Sequence, residues 1–323
     1  MAEQNTLENL PGITIGHWTD LDAATGCTVI LCPEGAVAGV DVRGGAPGTR
    51  ETDLLDPVCL VEKVHAICLA GGSAFGLAAA DGVMQWLEKG GHGFDVLVAR
   101  VPIVPAAILF DLLVGRADVR PDAAAGYAAC EAATAGAVAQ GNVGAGTGAT
   151  VGKMLGFELA MKGGIGFASR TIGATVIAAL VVVNAAGNIV DPATGQIVAG
   201  VRNSSGAGFV DTTQVLEQRL LHAMNPWGGR SNTTLAVVLT NVALSKVGCT
   251  KVAQMAHDGF ARAIHPVHTA VDGDIVFALS HGEQTGDASI VGALAAEVVA
   301  KAVLAGVRAA ETLHGIPASK DWR

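Results

Sequence analysis

Apolar residues fall along this chain in short dense runs, set apart by glycine-rich or polar breaks. Thr28–Cys32, Ala36–Val42, His65–Ala70, Ala174–Val183, Thr234–Val242 and Ile275–Leu279 are of strand length and rich in β-branched residues. Ala174–Val183 is the most continuous of them and ends at Asn184. Pro33-Glu34-Gly35 reads as a turn between the first two, and Ile189–Val198 as a hairpin around Asp191-Pro192-Ala193-Thr194-Gly195. Longer stretches carry a helical period, over residues 74–89, 121–137, 212–224, 246–264 and 287–312. In the last of these the polar positions Glu297, Lys301, Arg308 and Thr312 form one narrow stripe, so most of its circumference is predicted to be covered. Residues 225–231 read as a linker. Sheets clad by helices predict a single αββα domain, a four-layer sandwich over residues 1–323.

Composition sharpens this picture. Half of the 323 residues are hydrophobic and 15% are charged, a lean surface that predicts burial between subunits as well as within one. The net charge of −9 argues against nucleic acid or an anionic membrane as partner. The first nine residues have neither the basic start nor the apolar core of a secretory signal. Cys27, Cys32, Cys59, Cys68, Cys130 and Cys249 lack paired metal spacings and mostly sit in apolar runs. They are read as reduced thiols of a cytoplasmic protein.

Three tempting motifs fail. Gly71-Gly72-Ser73-Ala74-Phe75 has Phe75 where a nucleophile elbow needs Gly, so Ser73 is read as a helix N-cap. Gly144-Ala145-Gly146-Thr147-Gly148-Ala149 half-fits a dinucleotide fingerprint but follows a polar loop, and Gly152-Lys153 is followed by Met154, unlike a phosphate loop.

The stretch with most chemical content is Gly229-Arg230-Ser231-Asn232-Thr233-Thr234, where a polar loop becomes a strand. One reading is a plain strand entrance. The other is a hydroxyl that attacks the carbonyl of Asn232, leaving Thr233 as a new N-terminus whose amine serves as its own base. Asp272 and Asp274, one residue apart in an extended segment, point to one face and can brace such a hydroxyl, or form a solvated turn. Lys153 is either a surface lysine or a cation that keeps a neighbouring amine basic. Asn184, at the end of an apolar strand, either starts a turn or offers its amide to an oxyanion. A metal-dependent hydrolase using His265, His268, Asp272 and Asp274 is a rival, and a non-catalytic small-ligand-binding protein another.

The whole chain resembles the DmpA-type aminopeptidase and nylon-oligomer hydrolase family of self-cleaving, N-terminal-nucleophile-like enzymes. The resemblance rests on His65–Gly72, on Asn184 with Gly187–Asp191, on Asn232-Thr233-Thr234 with Thr240-Asn241-Val242, and on His268-Thr269 with Asp272-Gly273-Asp274. It implies an αββα fold, cleavage after Asn232 into residues 1–232 and 233–323, Thr233 as nucleophile, and Lys153, Asn184, Asp272 and Asp274 around it. It also implies assembly as a tetramer, small amide or short-peptide substrates, and no metal or organic cofactor. Asn-Thr and Asp-Gly-Asp are similar to the nylon-oligomer branch, whereas Phe110 stands where that branch has a Tyr before Asp, so a phenolic substrate contact is missing.

Overall fold

The computed structural model describes residues 6–222 and 232–322. The expected linker 225–231, the end of the helix expected to reach Met224, and the first five residues lie outside the described residues. In chain order the main elements are β1 (Thr14–Asp20), β2 (Thr25–Val42), β3 (Lys63–Ala70), α1 (Ala79–Lys89), β4 (Ala106–Ile108) and α2 (Ala123–Glu131). They continue with β5 (Gly164–Ile172), β6 (Thr175–Asn184), α3 (Thr212–Leu221), β7 (Thr233–Val242), α4 (Lys246–Ala263), β8 (Ile275–Gln284) and α5 (Ala288–Ala309).

Among the described residues, nine strands join in one mixed sheet ordered β5-β6-β7-β8-β2-β3-β4, with the short strand Thr49–Arg50 beyond β4 and β1 paired to β2. Pro33-Glu34-Gly35 is no turn. The chain stays extended through it, and the pairing of β2 with β3 slips between Leu31 and Ala36. Gly35, at φ +87°, supplies the conformation such a bulge needs. The bulge divides one strand between two layers: Thr25–Leu31 pairs with β1, and Val37–Val42 pairs with β8.

Alternation along the strands then fills three cores. Leu180, Val182, Leu235, Val237, Ile275 and Phe277 face Ile30, Ile67, Leu69 and Ala107 in a middle core between the sheet halves. The opposite faces of β6, β7 and β8 (Val181, Val183, Ala236, Val238, Val276) pack against α4 and α5. Cys27, Val29, Ala66 and Cys68 pack against α1 and α2. The order is helices, half-sheet, half-sheet, helices, the four-layer αββα sandwich expected from the pattern. Helix α5 is long and apolar enough to cross a membrane, but 67% of its most apolar stretch is buried in this packing.

Some local expectations change. Ser73 is not a cap: it lies at φ +55° in a 3₁₀ turn (Ser73–Ala78), Gly72 holds the cap position without any side-chain bond, and α1 begins only at Ala79. The backbone N–H of Ser73 instead reaches Leu109 O, tying the turn to the end of β4. The second helix is shorter than residues 121–137, running Ala123–Glu131 behind an Asp122 cap, because Thr134 leaves to bridge Ile15 of β1. Five cysteines are buried and Cys59 is partly so, all with free thiols.

Candidate active site

Strand register assembles the site. Thr233 opens β7 and pairs with Asn184, the last residue of β6. On its other side β8 runs parallel to β7 from Ile275, so Asp272-Gly273-Asp274 arrives alongside, and Asn232 bridges Asp272. The Asn232 N–H donates to Val271 O at 2.9 Å, and the Gly273 N–H donates to Asn232 O at 2.6 Å. A Cβ on Gly273 would lie 2.8 Å from Thr233 Oγ1 and 2.6 Å from Ala46 O, so this position requires glycine. The loop Arg43-Gly44-Gly45-Ala46 closes over the acidic segment, with Ala46 N–H donating to Asp272 O at 2.8 Å and Arg43 N–H to Asp274 O at 3.0 Å.

The Thr233 side chain is buried, and its hydroxyl donates to Asn232 O at 2.5 Å. The hydroxyl oxygen therefore sits beside the carbonyl of the peptide bond that precedes it. The same carbonyl oxygen holds the Gly273 N–H, a donor placed where negative charge develops if that carbonyl is attacked. Asp272 and Asp274 are both buried but have separate partners. Asp272 accepts from the Thr269 hydroxyl and N–H; burial, and then the charge of Asp274, push its carboxyl up to about 6. Asp274 accepts the Thr234 N–H at 2.7 Å through Oδ1, and the His268 N–H and Nδ1 through Oδ2.

Across the strand, Lys153 Nζ donates to Asn184 Oδ1 at 2.8 Å and to Asn184 O at 3.0 Å. Burial pushes this ammonium down to about 7, against the pull of Asp272. Thr150 N–H also donates to Asn184 Oδ1, at 3.0 Å, and these donors fix the orientation of the amide. Its Nδ2 then donates to Phe110 O at 3.2 Å. In this uncut arrangement the donor on the Asn232 carbonyl is the backbone of Gly273, and the Asn184 amide, expected to serve a substrate oxyanion, links Lys153 to Phe110 O. A narrow recess lies here, lined by Phe110, Leu113, Val114 and Phe157 with Asp111, Thr150, Lys153 and Asn232. Its walls are mostly apolar.

Several neighbours were not singled out from the sequence. Asp111 is buried below Phe110, accepts Thr25 Oγ1 and the Gly72 N–H at 2.7 Å each, and is pushed up to about 6 by burial. An acid closing a strand was its only signal. Lys162 Nζ donates to Thr147 O at 2.8 Å and Ala149 O at 2.6 Å. Gly273 acts through its backbone, which carries no mark in a sequence beyond the absence of a side chain. His265 stands apart from the two acids: its Nε2 meets Ala261 O in an exposed position. Among the described residues no group of three or more His, Cys, Asp and Glu side chains is arranged to hold a metal.

Comparison with known proteins gives this geometry a context. A sequence model described as peptidase family S58 matches residues 5–320. The chain is 45% identical to an uncharacterized aminopeptidase of Mycobacterium bovis, over 98% of this chain and 97% of that one. It is 35% identical to a 6-aminohexanoate-oligomer endohydrolase of Paenarthrobacter ureafaciens, over 92% of this chain and 84% of the relative. Among solved structures, a Burkholderia sp. beta-aminopeptidase superposes with a TM-score of 0.69 at 22% identity, covering 96% of this chain and 89% of its own. The L-aminopeptidase D-Ala-esterase/amidase of Ochrobactrum anthropi, described as a variant of the Ntn hydrolase fold, gives 0.71 at 20% identity, over 97% and 88%. At these identities the superpositions speak for the fold alone.

Proposed function

Because this chain belongs to peptidase family S58 and is a hydrolase of amide and peptide bonds, we propose that Thr233 is its nucleophile, released by self-cleavage after Asn232. The observation that carries the reading is the Asn232 carbonyl, gripped between the Thr233 hydroxyl and the Gly273 N–H. Thr233 Oγ1 bonds to the carbonyl carbon of Asn232, and the resulting oxyanion is held by Gly273. The C–N bond then breaks as the nitrogen takes up the hydroxyl's proton, leaving an ester. Water hydrolyses that ester to a carboxylate on Asn232 and a free α-amine and hydroxyl on Thr233.

In the cleaved enzyme the α-amine takes the proton of its own hydroxyl, which attacks a substrate amide. The leaving amine carries the proton away, and water releases the acyl group. Lys153 lies across β6 from Thr233, bonded to its strand partner. In the cleaved form a cation there disfavours a second one on the amine, keeping it a base near neutral pH. The substrates in this reading are short linear amides: amino-acyl amides, short peptides or 6-aminohexanoate oligomers, the last two in keeping with the names of the relatives. The working form in this reading is a cytoplasmic homotetramer of cleaved chains, favoured by a lean charged surface and by exposed apolar residues such as Leu97 and Val98.

A denaturing gel tests the core of the reading. Purified protein gives two bands near about 23 and about 9 kDa, in proportion to 232 and 91 residues of a 32.4 kDa chain. Thr233→Ala gives one uncut band and no amidase activity. Full activity in an uncut chain overturns the proposal.

A further inference from the structure

Asp274 is braced from behind by histidine. His268 lies at φ +57°, a left-handed conformation that His and Asn tolerate better than most residues. This turn lets both its N–H (3.0 Å) and its Nδ1 (2.9 Å) reach the same carboxylate oxygen of Asp274. In the tautomer that carries its proton on Nδ1, both groups donate to that oxygen. The ring packs edge-on against His257, with centroids 4.7 Å apart, and within 6.2 Å of Phe260. His257 is wholly buried in α4, with its Nε2 3.0 Å from Asp41 O. Burial pushes it down to about 4, so it is neutral near pH 7 and donates that bond.

The cost of this arrangement is visible. Among the described residues, His268 Nε2 and His257 Nδ1 are both buried with no hydrogen-bond partner. Unsatisfied polar atoms detract from stability, and a hydrocarbon side chain would fill the same space without them. What the His268 imidazole supplies that a hydrocarbon does not is a donor to Asp274, whose other oxygen grips the N–H of Thr234 directly after the nucleophile.

We infer that His268 is a positioning residue: it fixes one orientation of the Asp274 carboxylate and, through the Thr234 N–H, the aim of the Thr233 hydroxyl. It touches neither Thr233 nor the Asn232 carbonyl, so it acts only through Asp274. The inference rests on the reading of Thr233 as nucleophile. Its partners are specific: one donor atom, one carboxylate oxygen and a backbone turn that brings both into line.

Two substitutions compatible with the left-handed backbone separate donor from filler. His268→Asn keeps an N–H near the place of Nδ1, while His268→Gly removes it. We expect His268→Gly to slow self-cleavage and lower kcat on an alanyl p-nitroanilide by about 10- to 100-fold with little change in KM. His268→Asn should recover most of both. Equal losses in the two variants, or parental kcat in His268→Gly, overturn the inference. A second measurement needs no destabilised variant: ¹⁵N-histidine NMR of uncut Thr233→Ala protein should show His268 as the Nδ1–H tautomer, and the Nε2–H tautomer overturns the inference. Parental activity in Thr233→Ala would remove the nucleophile reading itself. An inert Thr233→Ala beside an unimpaired His268→Gly removes only this inference.

Discussion

Lys153 and Lys162 look alike by one measure and differ by every other. Burial pushes both ammonium groups down to about 7. Lys162 is sealed inside, and its hydrogen bonds run to two backbone carbonyls, Thr147 O and Ala149 O, with Asp111 as its charged neighbour. Lys153 is half-buried at the recess, holds both oxygens of Asn184, and feels the charges of Asp272, Lys162, Asp111 and Asp274. A shifted pKa reports desolvation; a site is marked by which atoms the shifted group touches. Lys162 ties down the chain leading to Thr150, and Thr150 in turn donates to Asn184. One lysine therefore acts on the cross-strand partner of Thr233, and the other on the scaffold beneath it.

The largest expected effect follows from that contrast. Lys153→Met should lower kcat by about 10²- to 10³-fold, the range of a lost acid–base partner. Unfolding free energy should fall by about 1–2 kcal/mol, less than for Lys162, since Asn184 O loses this donor while Asn184 Oδ1 keeps the Thr150 N–H. Steady-state kinetics and urea unfolding read the two quantities. A loss of stability with kcat unchanged would place Lys153 in the same class as Lys162 and erase the comparison.

Lys162→Met should do the opposite. Two buried carbonyls lose their donor, at about 1–3 kcal/mol each, offset in part by relief of the buried ammonium, for a net loss of about 2–4 kcal/mol. The kcat of the folded fraction should stay close to the parent's. The pH dependence adds a signature. Both lysines have folded pKa values depressed from 10.5, so between about 7 and 10.5 the unfolded chain binds more protons and stability rises with pH. Each contributes about 1.4 kcal/mol per pH unit at most, and Lys162→Met should flatten the rise measured by urea midpoints.

The sequence made one of these lysines visible and hid the other for a physical reason. Lys153 stood out because a polar, glycine-rich run ended in it. Lys162, in Ala160-Met161-Lys162-Gly163-Gly164, looks like any surface lysine, because desolvation is a product of tertiary packing. The layers were legible because strands apolar on both faces demand cover on both faces, as β6 and β7 show. Pro33-Glu34-Gly35 misled because the same residues serve a turn or a bulge, and only the partners β3 and β8 decide between them. The Asn184, Thr233 and Asp272–Asp274 segments could be picked out singly. Their meeting depends on register, β6 antiparallel and β8 parallel to β7, which a linear pattern does not encode.

The smallest expected effect tests the partner that the two lysines share. Asp111 pulls on both through its charge, yet it is buried and its carboxylate is bonded to Thr25 Oγ1 and the Gly72 N–H. Asp111→Asn keeps an oxygen for Gly72, and the Thr25 hydroxyl can rotate to accept from the new amide, so the local bonds survive. What disappears is a proton. The parent carboxyl is raised from 3.8 to about 6, so its stabilising share is full below 3.8 and lost as pH rises through 6. Asp272 titrates in the same direction, so the variant should lose only part of the decline in stability between pH 4 and 6. At pH 7 two changes oppose: a buried charge is removed, and Lys162 loses the anion that favours its ammonium, for a net shift within about 1 kcal/mol. Urea midpoints for parent and variant at pH 4, 5, 6 and 7 read both. An unchanged decline would mean that Asp111 stays ionised throughout, held by a pairing with Lys162 tight enough to make that lysine a permanent cation and to dissolve its likeness to Lys153.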